Sequence, residues 1–395
     1  MYYDHEKAVT RVEALELLKA EWPVTPETEK VPLLQSVGRI TAENLYSENA
    51  LPPCRVSAFD GFAVRSADFE HGIPDTSAWK RGTEYVPADT GDDFPDEYDT
   101  VVAVEDVRFD DRGTLHFNDG FRFTKGEAVR PAGSMLKPGD LLVEKHSLIT
   151  PETLAVLAIG GISFVPVIKK PRVAFLPTGS ELIPAGLTPE RGQNIDSNSL
   201  MLSELLKSWG AEPICFPITK DDRPRLAARL DEALVMSDIV IVNGGTSKGS
   251  EDFNSHLLQE RASFFRHGVK AVPGRPIGIS LINGKPVLNI PGPMLAAWLA
   301  ADWLIKGLLC HYYGIPVPAR ETVAGVLTSD IKKSASVEML CRVHIEREED
   351  GFLISPIPRT ADIAYALREG NGMLIIPIGC EGLSKGSLVI VERLN

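Results

Sequence analysis

The sequence has no uninterrupted hydrophobic run long enough to cross a membrane. Its longest uncharged stretches, residues 155–168 and 286–301, are shorter than a membrane span and contain Gly or Pro. The first residues also lack the charged and apolar segments of a secretory signal peptide. We therefore expect a soluble cytoplasmic protein with no membrane partner. The 44% of hydrophobic residues suffices for the cores of two or three domains.

Cysteine and positive charge are also scarce. Five cysteines are scattered singly along 395 residues, an odd number without the short spacings of a zinc site. This usage excludes a disulfide framework and indicates reduced thiols. The formal net charge of −13 would repel nucleic acids and anionic membranes. Any anionic ligand must therefore be bound by local donors.

Residues 238–252 are the most informative segment. Residues 239–242 are all apolar and β-branched, which predicts a strand buried on both faces of a parallel sheet. The turn that follows can present backbone amides and side-chain donors to a phosphate. It consists of Gly244, Gly245, Thr246, Ser247, Lys248 and Gly249. The flanking acids Asp238 and Asp252 could hold a hydrated divalent cation that bridges this phosphate. Alternatively, the glycines only let the chain leave the strand.

Helical periodicity near the N-terminus predicts two helices, over residues 10–22 and 33–44. The first begins with Thr10 and Glu13 at capping-box spacing. Both helices are apolar on one side only, so we expect them to pack on another domain or on a second copy of the chain.

A small β domain is predicted over residues 51–136, because short apolar runs alternate there with Gly, Asp and Pro clusters. Asp60 directly precedes a glycine and is predicted to lie on a tight turn. Thr90, Gly91 and Glu105 fall on other turns and strand ends of this domain.

The second half of the chain contains two further patterns. Strands and helices alternate over residues 171–316, which predicts a doubly wound α/β domain with a hairpin turn at Asn283-Gly284. Residues 317–395 contain alternating strand patterns separated by turns, typical of a small β domain. The predicted fold class is therefore multidomain, α/β plus β.

Seven short motifs occur in order along nearly the whole chain, and their order and spacing are more specific than any one of them. They are SAFDGFAVR from Ser57 to Arg65, Thr90-Gly91, Val101-Val102 with Glu105, Thr178-Gly179-Ser180-Glu181-Leu182, Asp196-Ser197-Asn198, the Gly244–Gly249 turn with Asp252, and Pro273-Gly274-Arg275-Pro276. Through these motifs the chain resembles the molybdenum insertase family, the molybdopterin molybdenumtransferases. It is also similar to the insertase-type half of the scaffold protein gephyrin.

The resemblance implies a subunit of four parts. Residues 1–50 and 137–170 would form a helical and linker region used in dimerisation, and residues 51–136 an inserted β domain. Residues 171–316 would form a molybdopterin-binding domain similar to the adenylyltransferases, and residues 317–395 a β-barrel-like domain. The resemblance also implies a homodimer, with molybdopterin adenylyltransferase or cofactor-accepting enzymes as further partners.

The implied reaction is the insertion of molybdate into adenylylated molybdopterin, assisted by Mg²⁺, with release of AMP. Catalytic roles are implied for Asp60, Glu181, Asp252, Arg275 and Arg342, and Asp238 with Asp252 is the predicted metal pair. Predicted cofactor-binding residues are Thr90, Gly91, Glu105, Thr178, Gly179, Asp196, Asn198, Gly244, Gly245, Thr246, Ser247, Gly249, Pro273 and Gly274. A purely structural role in a turn or cap remains an alternative for each acid and hydroxyl.

The departures from the family pattern fall on the side that would bind the oxyanion. Val272 replaces a lysine, Ala296 and Ala361 replace serines, and Met135 stands where an acid is expected. Each lost donor typically costs about 1–3 kcal/mol, unless Arg275, Lys270, His267 or Thr360 compensates. One alternative is therefore a non-catalytic relative that carries or senses the pterin nucleotide, and another is a scaffold protein.

Overall fold

The computed structural model describes residues 8–245, 253–349, 351–358 and 363–394. The chain forms two compact units, one of Met1–Glu27 with Lys169–Asn395 and the other of Thr28–Ile168. The helices are α1 (Arg11–Glu21), α2 (Pro151–Ile159), α3 (Asn198–Ser208), α4 (Arg223–Met236), α5 (Phe253–Arg261), α6 (Met294–Ala300), α7 (Lys306–Tyr313) and α8 (Ile363–Glu369).

Eleven short strands lie in the Thr28–Ile168 unit. They are β1 (Thr28–Pro32), β2 (Leu45–Tyr46), β3 (Val56–Ser57), β4 (Gly61–Val64), β5 (Tyr85–Ala88), β6 (Thr100–Ala103), β7 (Val107–Phe109), β8 (Leu115–Phe117), β9 (Val129–Arg130), β10 (Leu141–Val143) and β11 (Phe164–Ile168). β4 lies between β5 and β6, while β1 pairs with β11, β2 with β10, β3 with β9 and β7 with β8, all antiparallel. Short strands are thus present over residues 51–136, as predicted, and they form several small sheets.

The helix predicted over residues 33–44 is wrong. The segment forms one 3₁₀ turn, Leu33–Gln35, and then Gly38 takes a φ of +78° that no helix accommodates. Ile40 and Thr41 instead make antiparallel bridges to the strand segments around Leu148 and Val167. The described part of residues 28–50 is therefore strand and turn rather than helix, because its apolar residues pack into a β core.

In the larger unit, α1 begins as predicted. The side chain of Thr10 accepts from the amide of Glu13, and the Glu13 carboxylate accepts from the amide of Thr10. The strands of the central part are β12 (Arg172–Pro177), β13 (Leu182–Ile183), β14 (Asn194–Ile195), β15 (Glu212–Cys215), β16 (Ile239–Asn243), β17 (Phe264–His267), β18 (Ala271–Val272), β19 (Gly278–Ile282) and β20 (Lys285–Ile290).

The central sheet has the strand order β15-β12-β16-β20-β19-β17. Its first four strands are parallel, and β19 and β17 complete it in antiparallel pairings. Every residue of β16 is buried, as its apolar β-branched sequence predicts. The hairpin at Asn283-Gly284 is confirmed, with positive φ at both residues.

The C-terminal strands are β21 (Thr322–Leu327), β22 (Ile331–Lys332), β23 (Glu338–Glu348), β24 (Gly351–Pro356), β25 (Gly372–Ile376), β26 (Gly382–Leu383) and β27 (Leu388–Arg393). The order β23-β24-β21-β27-β25 closes on itself through a β23–β25 pairing, which makes a barrel. Burial alternates strictly along β21, so one face of the strand fills the barrel core. The predicted C-terminal β domain is confirmed, and β18 adds to it in parallel beside β23.

α6 and α7 join through a π-helical turn, Ala301–Ile305, into one helix from Met294 to Tyr313. By length and composition this helix could cross a membrane, but 61% of its most apolar window is buried inside the protein. It behaves as a core helix, and one end of it reaches the site described next.

Candidate functional site

The larger described cavity, of about 710 Å³, opens at the carboxyl ends of the parallel strands β12 and β16. In open α/β sheets this is where ligands bind. The lining residues are Thr178, Gly179, Glu181, Leu182, Asn194, Ile195, Asp196, Ser197, Asn198, Asp221, Asn243, Gly244, Gly245, Gly292, Pro293 and Met294. Seven of the predicted site residues are among them: Thr178, Gly179, Glu181, Asp196, Asn198, Gly244 and Gly245.

The start of the glycine-rich turn has no room for side chains. Gly244 has a φ of +106°, and a Cβ there would lie 2.5 Å from the carbonyl oxygen of Thr178. Gly245 has a φ of +56°, and its Cβ would lie 2.3 Å from Nδ2 of Asn254. The amide of Gly244 donates to Ile290, whereas within the described residues the amide of Gly245 has no acceptor. That amide is free to bind a ligand oxygen.

The start of α6 adds further donors to the same cavity. Pro293 precedes the helix and provides no side-chain cap, and Met294, the first helical residue, lines the cavity. The first amides of a helix have no intrahelical acceptor and carry the positive end of its dipole. An anion in this cavity would therefore meet both a free turn amide and an uncapped helix start.

A network of buried asparagines holds these backbone segments together. Nδ2 of Asn198 donates to Oδ1 of Asn243 at 3.0 Å and to Gly292 O at 2.7 Å, and Nδ2 of Asn243 donates to Pro291 O at 2.8 Å. Nδ2 of Asn254 donates to Oγ1 of Thr178 and to Gly244 O. The network fixes the ends of β12, β16 and β20 relative to one another.

One acceptor in this network is unused. Oδ1 of Asn198 is buried, and it has no hydrogen-bond partner within the described residues. Because Asn198 lines the cavity and buried polar atoms are normally paired, a ligand N–H group is a suitable donor for it. The role of Asn198 in binding a cofactor stays a prediction.

Three carboxylates line the cavity, but no lysine or arginine is among its described lining residues. Asp196 accepts from the amide and hydroxyl of Ser199, and Asp221 accepts from the amide of Ser180. The Glu181 carboxylate has no hydrogen-bond partner within the described residues. Among the described residues of the chain, no three His, Cys, Asp or Glu side chains are grouped so that they could hold a metal ion. Since Mg²⁺ commonly takes one or two carboxylates plus phosphate oxygens and water, Glu181 fits such an ion bound together with a phosphate.

Several predicted residues lie outside the described residues. Thr246, Ser247, Gly249 and Asp252 belong to residues 246–252, and Thr360 and Ala361 also fall in an undescribed stretch. Their predicted roles therefore stay predictions.

Asp238 is a correction to the predicted metal pair. It immediately precedes β16, whereas the glycine-rich turn follows it, and five residues of strand separate the two ends by about 17 Å. Oδ2 of Asp238 accepts from the amide of Arg172, and Asp238 lines a different, smaller cavity. Asp238 therefore cannot share a cation with Gly244 or Gly245, the described start of the glycine-rich turn.

In the Thr28–Ile168 unit, the structure brings four predicted residues together. Oδ1 of Asp60 accepts from the amide of Thr90 at 2.7 Å and from its hydroxyl at 2.8 Å, and Gly91 follows with a φ of +90°. These two bonds, the backbone one first, lower the pKa of Asp60 below its ordinary value. Glu105 is adjacent, because the amide of Val104 donates to the carbonyl of Asp60. The group is an exposed, ionised acidic turn.

The predicted oxyanion-side residues do not line the large cavity. Pro273, Gly274 and Arg275 follow β18, and Nε of Arg275 is buried and unpaired within the described residues. Arg342 lies on β23 and is 7% exposed. Its Nη2 donates to Gly370 O and Leu367 O at the end of α8, and its guanidinium lies 4.6 Å from the ring of Trp298.

Arg342 nevertheless has one hydrogen-bond donor without an acceptor among the described residues. Its Nε, like that of Arg275, is buried and has no partner in the described part of the chain. Burial lowers the pKa of Arg342, but not enough to discharge a guanidinium near neutral pH. Trp298 lies one helical turn after Met294 of the cavity, so Arg342 is placed beside the α6 wall of the site.

Nine of the sixteen lining residues were not predicted as site residues, among them Asn243 and Asp221. Asn254, which donates to Thr178 Oγ1 and Gly244 O, was not predicted either. Asn243 ends an otherwise apolar strand, and a polar residue at a strand's carboxyl end was a usable signal. Asp221 and Asn254 contact the site only through tertiary packing, so their spacing in the sequence does not reveal them.

Two family models match the chain. Residues 9–161 match "MoeA N-terminal region (domain I and II)", and residues 174–311 match "Probable molybdopterin binding domain". The second match contains the strands and turns that form the large cavity.

Full-length relatives show the same similarity. The chain is 27% identical over 416 residues to molybdopterin molybdenumtransferase 2 of Mycobacterium tuberculosis, covering 99% of both chains. It is 26% identical to molybdopterin molybdenumtransferase of Bacillus subtilis, covering 92% of this chain and 89% of that protein. A crystal structure of a molybdopterin biosynthesis MoeA protein from Pyrococcus horikoshii superposes with a TM-score of 0.82 at 27% identity, covering 98% of this chain and 100% of that one.

Proposed function

The chain belongs to the MoeA family of molybdopterin molybdenumtransferases, and from that premise we propose that it inserts molybdate into adenylylated molybdopterin with release of AMP. The observation that carries the proposal is the large cavity in the molybdopterin-binding domain. It combines a free turn amide, an uncapped helix start and an unpaired buried acceptor on Asn198. These groups suit a ligand with a phosphate at one end and N–H donors at the other.

Phosphate binding at this site rests on neutral donors. The N–H groups of Gly245 and of the first residues of α6 would donate hydrogen bonds to the phosphate. Because the backbone already holds them in place, they would not have to reorganise when the phosphate binds. The three lining carboxylates would repel a bare phosphate, so a cation must accompany it. Mg²⁺ held by Glu181 and the substrate phosphates would supply this neutralisation, and Asp252 is proposed as a second ligand.

The buried asparagines position the reacting ends. Asn243 and Asn198 tie the turn to the segment before α6, so the phosphate-binding amides and the helix start keep a fixed separation. In phosphoryl chemistry, positioning and charge stabilisation supply most of the rate enhancement. We propose that Asn198 Oδ1 accepts an N–H of the pterin nucleotide.

Molybdate is proposed to bind on the Arg275 and Arg342 side. β18 runs parallel to β23, with Val272 opposite Met339. Arg275 and Arg342 each follow this pair by three residues, so the two arginines lie at the same end of the paired strands. Each guanidinium has a buried Nε without a partner within the described residues. A tetrahedral dianion prefers such forked donors. Of the two arginines, Arg275 would compensate for the donors lost at positions 272 and 296, which lie on β18 and inside α6.

The test is AMP release from adenylylated molybdopterin by the purified protein with Mg²⁺, with and without molybdate, while metal in the pterin product is assayed. We expect molybdate-dependent AMP release and a metallated product. Tight binding of the pterin nucleotide without turnover would contradict the proposal and indicate a carrier.

A matched pair of variants assigns that activity to this cavity. Glu181→Gln removes the unpaired carboxylate without changing its size, and we expect turnover to fall by about 100-fold. Glu190→Gln makes the same change at an exposed position outside the lining, and turnover should be retained. Equal activity of the two variants would exclude Glu181 from the reaction.

A homodimer formed through the α2 region is also proposed. Leu157 is the one fully buried residue of α2, and four large apolar side chains near it are exposed. They are Leu148 (55% exposed), Val156 (43%), Ile159 (50%) and Phe164 (61%). Several exposed apolar side chains within one short stretch of chain are typical of a protein interface. We further propose a cytoplasmic location, and exchange of substrate or product with a molybdopterin adenylyltransferase or cofactor-accepting enzymes.

Replacing Val156 and Ile159 together by Asp should convert the dimer to monomers, because two charges would be buried in an apolar contact. Sedimentation velocity measures the change. Val235→Asp, on an 80% exposed valine of α4, is the control and should leave the dimer intact. A double variant that still sediments as a dimer would refute the α2 interface.

A further inference from the structure

A second cavity, of about 270 Å³, lies at the amino ends of the parallel strands. The large cavity described above lies at the carboxyl ends of the same strands. Arg172 is the first residue of β12, Asp238 directly precedes β16, and Lys285 begins β20. β12 has six residues, so about 20 Å of strand separates the two cavities. No residue lines both cavities.

Four cations line this second cavity in a chain whose net charge is −13. Lys169 pairs with Glu27 at 2.9 Å. Nζ of Lys285 donates to Leu234 O and Ser237 O at the end of α4, where the helix dipole favours a cation. The remaining two, Lys170 and Arg172, have no side-chain hydrogen bond or ion pair within the described residues. Two cations are therefore available to a ligand.

Two buried aromatic donors face the same space. Tyr312 is 6% exposed and Trp22 is 5% exposed, and both line the cavity with their rings 6.2 Å apart. Within the described residues neither the hydroxyl of Tyr312 nor the indole N–H of Trp22 donates to a protein atom. Burial, with smaller effects of Asp238 and Glu27, raises the pKa of Tyr312 to about 12. The hydroxyl therefore keeps its proton and acts as a donor.

The two carboxylates that line this cavity are already engaged. Glu27 is paired with Lys169, and Asp238 accepts from the backbone amide of Arg172 at 2.7 Å. The latter bond holds the start of β12 beside β16. The cavity therefore has more hydrogen-bond donors and positive charges than acceptors and negative charges. An anion with several acceptor oxygens would pair with these unpartnered groups.

We propose that this cavity is a second ligand site that binds a small tetrahedral oxyanion, either inorganic phosphate or the phosphate group of a small monoester. Arg172 and Lys170 supply the charge-assisted hydrogen bonds, and Tyr312 supplies a neutral one. The volume holds a phosphate with a short organic group but not a dinucleotide. The inference is independent of the proposed enzymatic function, because the site lies at the opposite edge of the sheet.

The test is calorimetric titration of the full-length protein with inorganic phosphate and, in parallel, with glycerol phosphate. In the Lys170→Gln/Arg172→Gln double variant we expect the affinity to fall by about tenfold or more, since charge-assisted bonds are lost. Both side chains are exposed, so the fold is retained. Tyr312→Phe keeps the ring and should weaken binding several-fold.

Lys207→Gln is the control, because Lys207 is an exposed lysine on α3 that pairs with Glu204, and its loss changes the charge without touching the cavity. It should bind phosphate as the wild type does. Tighter binding of glycerol phosphate than of phosphate would identify a monoester site, and equal binding a free-phosphate site. Phosphate binding that survives the double variant, or no saturable binding of either anion at millimolar concentration, would overturn the proposal.

Discussion

Gly244→Ala is expected to reduce kcat/KM for AMP release by about 100-fold and to destabilise the protein by about 3 kcal/mol. At a φ of +106° an alanine is strained by about 1–2 kcal/mol. Its Cβ would also lie 2.5 Å from Thr178 O and 2.9 Å from Thr178 Oγ1, so the end of β12 must move. Displacements of about 1 Å at a reacting centre can cost about 100-fold in rate.

The neighbouring contacts explain why the turn cannot relax cheaply. Asn254 donates to both Gly244 O and Thr178 Oγ1, and Thr178 Oγ1 donates to Asn243 O. A shift of the turn therefore breaks hydrogen bonds that are buried, and each unpaired buried group costs about 1–3 kcal/mol. The displacement would also carry the amide of Gly245, the proposed phosphate donor, out of place.

Gly186→Ala separates backbone strain from the loss of the site. Gly186 has a φ of +92°, and a Cβ there would meet nothing within 4 Å. We expect a loss of stability of about 1 kcal/mol and unchanged turnover. Thermal unfolding and AMP release measure the two effects. Near-normal kcat/KM in Gly244→Ala would show that the first turn amides do not bind the phosphate.

The elements that the sequence predicts best are those whose local chemistry allows one structure. The apolar, β-branched run of residues 239–242 favours a buried strand. Gly244 and Gly245 have positive φ at positions where side chains would collide with their neighbours. The capping box of α1 and the hairpin at Asn283-Gly284 are equally local. These features were therefore predictable without tertiary information.

The wrong predictions depended on contacts between distant residues. Residues 33–44 have helical spacing, but the positive φ of Gly38 and the pairing of Thr41 with Val167 make a β structure more stable. Asp238 is close to the glycine-rich turn in sequence, yet a strand between them places the two at opposite edges of the sheet. Proximity in sequence thus misplaces a ligand whenever an extended strand intervenes.

The second cavity illustrates the same limit more strongly. Trp22, Lys170, Asp238, Lys285 and Tyr312 come from five separate parts of the chain. No spacing rule connects them, because the cavity is made by the packing of α1 and α7 against the amino edge of the sheet. Only the structure brings their charges and donors together.

Arg342→Ala is expected to have the second large effect, raising KM for molybdate more than about tenfold and lowering stability by about 3 kcal/mol. The buried guanidinium donates to Gly370 O and Leu367 O, and its loss leaves both carbonyls unpaired. The stability effect follows from this contact alone. The KM effect requires that the unpaired Nε bind the oxyanion.

Two further variants distinguish these causes. Arg342→Lys keeps the positive charge but not the planar fork, so molybdate KM should rise less than in Arg342→Ala while remaining above that of the wild type. Trp298→Leu removes the ring that lies 4.6 Å from the guanidinium and leaves the charge in place. It should lower the melting temperature with little change in molybdate KM, measured at a temperature where all variants are folded. If Trp298→Leu raises molybdate KM as much as Arg342→Ala does, Arg342 acts through packing against α6 rather than by contact with molybdate. In that case the donors that compensate for the lysine and serine missing at positions 272 and 296 must be sought on the Arg275 turn.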